Sequence, residues 1–228
     1  MDQKRSMQGL FITGTSTGVG KTYIGALLAK ALSDHHLAVV PRKPVESGCE
    51  IVDGVLFPAD AQTLMQAAAY TGKLAEVCPY RFQPPISPAR AARLANTSLA
   101  TEQLVRAFLR GSEGGFILVE GAGGFYSPLT ENGLNADLAE ALQLPVLLIA
   151  ENTLGALNQV LLNVEAIKAR DLDLTGVVLN NMNPQQHEHM DNASDLCDRL
   201  DCAIYSQEYN DTRLPDELVD AIVLARIA

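Results

Sequence analysis

A strand, a glycine-rich loop and a helix follow one another directly near the start of the chain, and that order constrains its fold more than any other feature. Leu10-Phe11-Ile12 is an apolar run, Gly14-Thr15-Ser16-Thr17-Gly18-Val19-Gly20-Lys21-Thr22 follows it, and Tyr23 to Leu32 has helical apolar spacing. Such a layout turns loop N–H groups and the positive end of a helix dipole toward one point, where an anion is stabilised. Lys21 adds a full charge there. The Thr22 hydroxyl is placed to ligate a Mg²⁺ that bridges phosphates. The usual spacing has four residues between the first glycine and Gly-Lys; here Gly14 and Gly20 enclose five. The loop is therefore a variant phosphate cradle.

The rest of the chain supplies the frame for that loop. Apolar runs at Leu10–Thr13, Ala38–Val40, Phe116–Val119, Val146–Ala150 and Gly176–Leu179, and a weaker one at Ala203–Tyr205, predict strands. Helical patterns near Lys21–Ser33, Ala61–Tyr70, Thr101–Leu109, Ala136–Leu142, Leu157–Ala169, Glu188–Leu200 and Pro215–Arg226 alternate with them. Strands apolar throughout are covered on both faces, so the alternation predicts an α/β fold: a mostly parallel central sheet with helices on both faces. We expect one P-loop domain over residues 1–228, with ligands at the carboxyl ends of the strands. The apolar face of Leu157, Val160, Leu161, Val164 and Ile167 is core or a subunit contact. The proline-rich stretch from Cys78 to Ala89 reads as an ordered excursion near the site.

Charge narrows the partners. Lys and Arg number 17 against 27 Asp and Glu, a formal net charge of -10. Such a surface is a poor match for nucleic acid or anionic membranes. With no membrane-length apolar run and no signal-peptide pattern at the polar start, a cytoplasmic enzyme is expected. Cys49, Cys78, Cys197 and Cys202 form no Cys-x-x-Cys pair and read as reduced thiols. His35, His36, His187 and His189 read as solvated surface.

Three further segments carry chemistry. Glu120 ends the run Phe116–Val119 and precedes Gly121-Ala122-Gly123-Gly124. An acid at the end of a buried strand suits Mg²⁺, which takes one or two carboxylates plus phosphate oxygens. Lys43, in Lys43-Pro44-Val45-Glu46-Ser47-Gly48, either faces the same crevice as Lys21 or is an ordinary surface lysine. Asp60 either caps the following helix or serves as a second carboxylate for the metal; taken alone, its position favours the cap.

Taken in order with Val178-Leu179-Asn180-Asn181, these motifs resemble the motif set of the dethiobiotin synthetase family. The resemblance implies closure of the ureido ring of dethiobiotin from 7,8-diaminononanoate, CO₂ and ATP with Mg²⁺. It implies an ATP site over Thr17, Gly18, Val19, Gly20, Lys21, Thr22, Tyr23, Asp60, Glu120, Gly121, Ala122, Gly123, Asn180 and Asn181. Within that site Thr22, Asp60 and Glu120 bind the metal, and Asn180 reads the adenine edge. Lys21 and Lys43 are the catalytic residues. Thr17, Ser47 and Gly123 line the diamine site. The family is a homodimer whose substrate carboxylate lies at a helix start of the neighbouring subunit, here Leu154, Gly155, Ala156, Leu157 and Asn158. The chain departs from the family at Ser16, usually Asp, and at Gly18, often an acid. It has Ser87-Pro88-Ala89 for Ser-Pro-His and Ala203-Ile204-Tyr205-Ser206-Gln207 for a Gly-x-Ile-Pro segment.

Two other readings fit the loop less well. An amide-forming synthase on this scaffold usually carries an amidotransferase domain, which is not expected within these 228 residues. A nucleotide-switched positioning ATPase carries an extra lysine early in the loop, where Thr15 stands. Its membrane-binding tail is also a poor match for Leu214–Ala228, where Asp216, Glu217 and Asp220 face a single Arg226.

Overall fold

All six expected strands lie in one sheet in the computed structural model, which describes residues 8–111, 114–185 and 187–225. In chain order the elements are β1 Gly9–Gly14, α1 Lys21–Asp34, β2 Val39–Arg42, β3 Val45–Ser47, β4 Glu50–Val52, β5 Val55–Phe57, α2 Ala59–Ala67, α3 Leu74–Val77, β6 Tyr80–Phe82, α4 Pro88–Leu94, α5 Thr101–Leu109, β7 Phe116–Glu120, α6 Asn135–Leu142, β8 Val146–Glu151, α7 Ala156–Lys168, β9 Leu174–Asn180, α8 Asn192–Cys197, β10 Ile204–Gln207 and α9 Asp216–Ala225. The sheet runs β10-β9-β8-β1-β7-β2, with all its pairings parallel.

Alternation along each strand sends side chains to opposite faces, and each face has its own core. Leu10, Ile12, Phe116, Leu118, Leu147 and Ile149 pack with Ile24 and Leu28 of α1 and Leu218 of α9. Phe11, Ile117, Val119, Leu148 and Ala150 pack on the other side with Leu104 of α5, Leu138 of α6 and Val160 and Val164 of α7. The apolar face of α7 is therefore core. Between β1 and β2 the chain crosses over β7, so the loops leaving β1, β7 and β2 open onto one crevice. The register Arg42↔Val119 puts Lys43 beside Glu120, and Ile12↔Glu120 puts both beside the glycine-rich loop.

Several boundaries differ from the sequence reading, each for a local reason. Helix α2 stops at Ala67, short of Tyr70. Ala69 turns left-handed (φ 47), its N–H bonds Gln66 O at 3.1 Å, and Tyr70 N–H bonds Met65 O at 3.0 Å. These are the two crossing bonds of a Schellman end. Helix α8 spans only Asn192–Cys197, not Glu188–Leu200, because the Asp191 carboxylate accepts from Ser194 N–H at 3.0 Å and fixes the start. The expected end of α9 at Arg226 lies outside the described residues. The hairpin β4–β5 was not anticipated. Its turn is Asp53-Gly54, both with positive φ (50 and 77), as a two-residue hairpin loop needs. No helix among the described residues is long and apolar enough to cross a membrane. His35, His36, His187 and His189 are exposed. All four cysteines are free, with Cys49 and Cys78 buried.

Candidate active site

A cavity of about 640 Å³ opens at the crevice. Of the expected residues, Thr17, Gly18, Gly20, Lys21, Thr22, Tyr23, Lys43, Ser47, Asp60, Glu120, Ala122 and Gly123 line it. Val19, Gly121, Asn180, Asn181 and residues 154–158 lie outside that lining. Glu46, Pro85, Ile86, Ser87, Pro88, Ser127 and Pro128 line it as well and carried no assigned role in the sequence. The proline-rich excursion thus forms one wall.

One end of the cavity is the start of α1. Gly20 precedes the helix in a left-handed conformation (φ 90), and no side chain caps it. The first N–H groups of a 14-residue helix are therefore free of a capping side chain and suited to an anion. The Lys21 ammonium curls back and donates to Ser16 O at 2.9 Å. From behind, buried Asn180 donates its side-chain N–H to Val19 O at 3.1 Å and fixes the loop. A Cβ at Gly20 would stand 2.2 Å from Asn180 Nδ2. Gly20→Ala is therefore expected to break the Asn180–Val19 bond and to strain a left-handed residue. The combined cost is about 2–3 kcal/mol, read as a melting point about 5–10 °C lower, with weaker nucleotide binding. An unchanged melting point and nucleotide affinity would contradict this view of the loop.

Beside the start of α1, joined to it through Thr22, is a charged cluster. Glu120, 1% exposed, accepts at Oε1 from the Thr22 hydroxyl at 2.8 Å and from the Lys43 ammonium. Lys43 also pairs with Asp60 Oδ2 at 2.8 Å. Burial works against a charged Lys43, yet Glu120 and Asp60 outweigh it and hold the ammonium above the usual lysine range. Burial likewise opposes a charged Asp60, but Lys43 overrides it and keeps the carboxyl below its usual value. Lys43 is thus no ordinary surface lysine. Nor does Asp60 cap its helix: Pro58 holds the cap position, and the N–H groups of Asp60 and Ala61 go to Glu46, each at 3.0 Å. Burial raises the Glu46 carboxyl above its usual value.

This donor set fits a small hard cation. Glu120 Oε2 is buried with no hydrogen-bond partner, and the Thr22 hydroxyl and Asp60 carboxylate stand at the same place. Two carboxylates and a hydroxyl make an incomplete shell, the kind Mg²⁺ completes with water and phosphate oxygens.

A buried asparagine shapes the third wall. Asn135 Oδ1 accepts from Ala122 N–H at 3.0 Å, and its Nδ2 donates to Ala122 O and to Gly124 O at 3.1 Å. Ser127 Oγ accepts from Gly124 N–H at 2.8 Å. A Cβ on Gly123 (φ 80) would come within 2.6 Å of that hydroxyl, so the close-packed loop requires glycine.

Lys21 carries a pH signature. Burial, then the positive charge of Lys43, bring its pKa down to about 8. If Lys21 contacts phosphate, it is charged both free and bound below that value, so its own titration adds no pH dependence to triphosphate affinity there. Above it the free protein holds neutral Lys21 and must take up a proton to bind. Affinity is then expected to fall about tenfold per pH unit. Calorimetry at pH 9 in buffers of different ionisation enthalpy should show about one proton taken up. Constant affinity from pH 7 to 9.5 would be inconsistent with this assignment.

Comparison with known proteins sets this site in context. A family model described as an AAA domain matches residues 8–204. A curated ATP-dependent dethiobiotin synthetase from Vesicomyosocius okutanii is 36% identical over 219 residues, which cover 96% of this chain and 98% of that protein. Another from Anaeromyxobacter dehalogenans is 42% identical over 180 residues, covering 78% and 79%. A solved ParA family ATPase from Chlorobium tepidum aligns over 98% of this chain and 93% of its own, with a TM-score of 0.57 at 12% identity, a likeness of fold.

Proposed function

The chain belongs to the ATP-dependent dethiobiotin synthetase family, and from that premise we propose that its cavity closes the ureido ring of dethiobiotin on 7,8-diaminononanoate. A free amine of the substrate takes up CO₂ to form a carbamate. A carbamate oxygen attacks the γ-phosphorus of ATP, giving a carbamic-phosphoric anhydride and ADP. The second amine attacks the carbonyl carbon, closes the ring and expels phosphate. Phosphoryl transfer asks mainly for positioning and charge stabilisation.

The residues divide that work. Lys21 and the N–H groups from Gly18 to Thr22 hold the β- and γ-phosphates. Thr22, Asp60 and Glu120 hold Mg²⁺, which when bound neutralises phosphate charge. Lys43 faces the carbamate and the phosphoryl group in flight. Thr17, Ser47 and Gly123 line the diamine site, with Pro85, Ile86 and Pro88 beside them as an apolar wall suited to a methylene chain. Asn180 reads the base with what remains of its amide once its N–H has fixed the loop, and Asn181 lies beside it. The whole acts as one ATP-binding α/β domain.

The substrate carboxylate falls to a second copy of the chain. Residues 154–158 lie away from the cavity lining. Leu154 is 93% exposed, and Gly155 (φ 92) opens α7 without a side-chain cap. A helix start so presented suits a carboxylate held by the neighbouring subunit of a homodimer.

The observation that supports this reading most is the Lys43–Glu120–Thr22 contact, in which a buried ammonium and a buried carboxylate meet a hydroxyl in the first turn of α1. The test is phosphate release from Mg-ATP with each component omitted in turn. Release that requires both diamine and bicarbonate, with dethiobiotin seen by mass, is expected. ATP hydrolysis indifferent to the diamine would sink the proposal.

A further inference from the structure

We propose that Glu46 is a positioning residue that frees Asp60 for the Lys43 cluster; the inference rests on the role given to Asp60 above. Asp60 is the second residue of α2, where an acid is drawn to the unbonded N–H groups of the helix start. Pro58, at the cap position, has no side-chain acceptor to offer them. Left to local preference, the Asp60 carboxylate would fold onto its own helix end.

Glu46 removes that competition. It is 6% exposed and sits mid-strand in β3, where pairing with Arg81 of β6 fixes its backbone. Its two oxygens take the two amides separately: Oε1 accepts from Asp60 N–H and Oε2 from Ala61 N–H, both at 3.0 Å. This is a bidentate cap supplied from 14 residues away in sequence. With those two amides taken, Asp60 Oδ2 reaches Lys43 Nζ at 2.8 Å. Glu46 thereby sets the geometry of a cluster whose lysine it does not itself bond.

A double-mutant cycle separates this role from plain stabilisation of α2. Glu46→Ala is expected to lower kcat by about 10- to 100-fold, the scale of a small misplacement at a reacting centre, with KM for ATP changed less than about threefold. In an Asp60→Asn background the same change should lower kcat less than about threefold further. The loss in melting temperature, about 2–8 °C for a lost cap, should appear in both backgrounds. A crystal structure of Glu46→Ala should show Asp60 Oδ2 withdrawn from Lys43 and turned to its own helix start. Glu46→Gln, which keeps one acceptor, carries the same test at intermediate size if the alanine variant folds poorly. An equal kcat loss in both backgrounds, or unchanged kcat in Glu46→Ala, would overturn the proposal. Asp60→Asn with wild-type kcat is a separate failure: it removes Asp60 from the machinery and the proposal with it.

Discussion

Lys43→Ala is expected to lower kcat by about 10²–10³-fold, the cost of losing one charge-stabilising donor at a reacting centre, while KM for ATP moves by less than about threefold. The reasoning turns on where the charge develops. In the proposed site Lys21 and the start of α1 meet the phosphates of bound nucleotide, whereas Lys43 lies against Glu120 and Asp60, beside Thr22. Under the proposed mechanism its interaction strengthens as negative charge gathers between carbamate and phosphorus, so Lys43→Ala is expected to act on turnover more than on binding. A stability loss goes with it. Removing Lys43 leaves Glu120, 1% exposed, without its cation. Breaking a buried pair from one side costs about 3–5 kcal/mol, read as a melting point about 10 °C lower. Unchanged turnover in a folded Lys43→Ala protein would remove this lysine from the mechanism.

Glu120→Gln should fail differently. The substitution keeps shape but removes the charge on which Thr22 and Lys43 converge. The Mg²⁺ concentration for half-maximal activity is expected to rise at least about tenfold, alongside a kcat loss of about 10²-fold. In Lys43→Ala that Mg²⁺ requirement should stay within about threefold of wild type, because the carboxylates remain. Stability distinguishes the two residues as partners. The double variant Lys43→Met, Glu120→Gln removes both charges, and replacing a whole buried pair is often neutral. It should melt above either single variant while remaining inactive. A double variant no more stable than Lys43→Ala would argue against the pairing as the source of the stability loss.

These effects were unevenly legible in the amino-acid sequence. The six sheet strands stood out because strands covered on both faces must be apolar along their whole length, and Phe116–Val119 and Val146–Ala150 carry that pattern without interruption. Glu120 was readable for the same reason, as an acid directly after a run that has no other polar residue. The hairpin at Asp53-Gly54 had a turn signal, but its strands are three residues long and mostly exposed, so no core face marked them. For Asp60, position alone points to a helix cap, which the structure does not show, while the family resemblance points to the metal. An acid near a helix start is usually its cap, and the carboxylate that takes that place sits on β3, beyond the reach of any local rule. The Asn135 clamp is hidden in the same way, since its partners Ala122 and Gly124 offer only backbone groups.

The most direct test follows the oxygen atoms. If the carbamate oxygen attacks the γ-phosphorus, ring closure leaves that oxygen on phosphate. In a short reaction with ¹⁸O-labelled CO₂ and unlabelled water, each phosphate released should carry one labelled oxygen. Unlabelled phosphate formed together with dethiobiotin would contradict the proposed attack and the role assigned to Lys43 beside it.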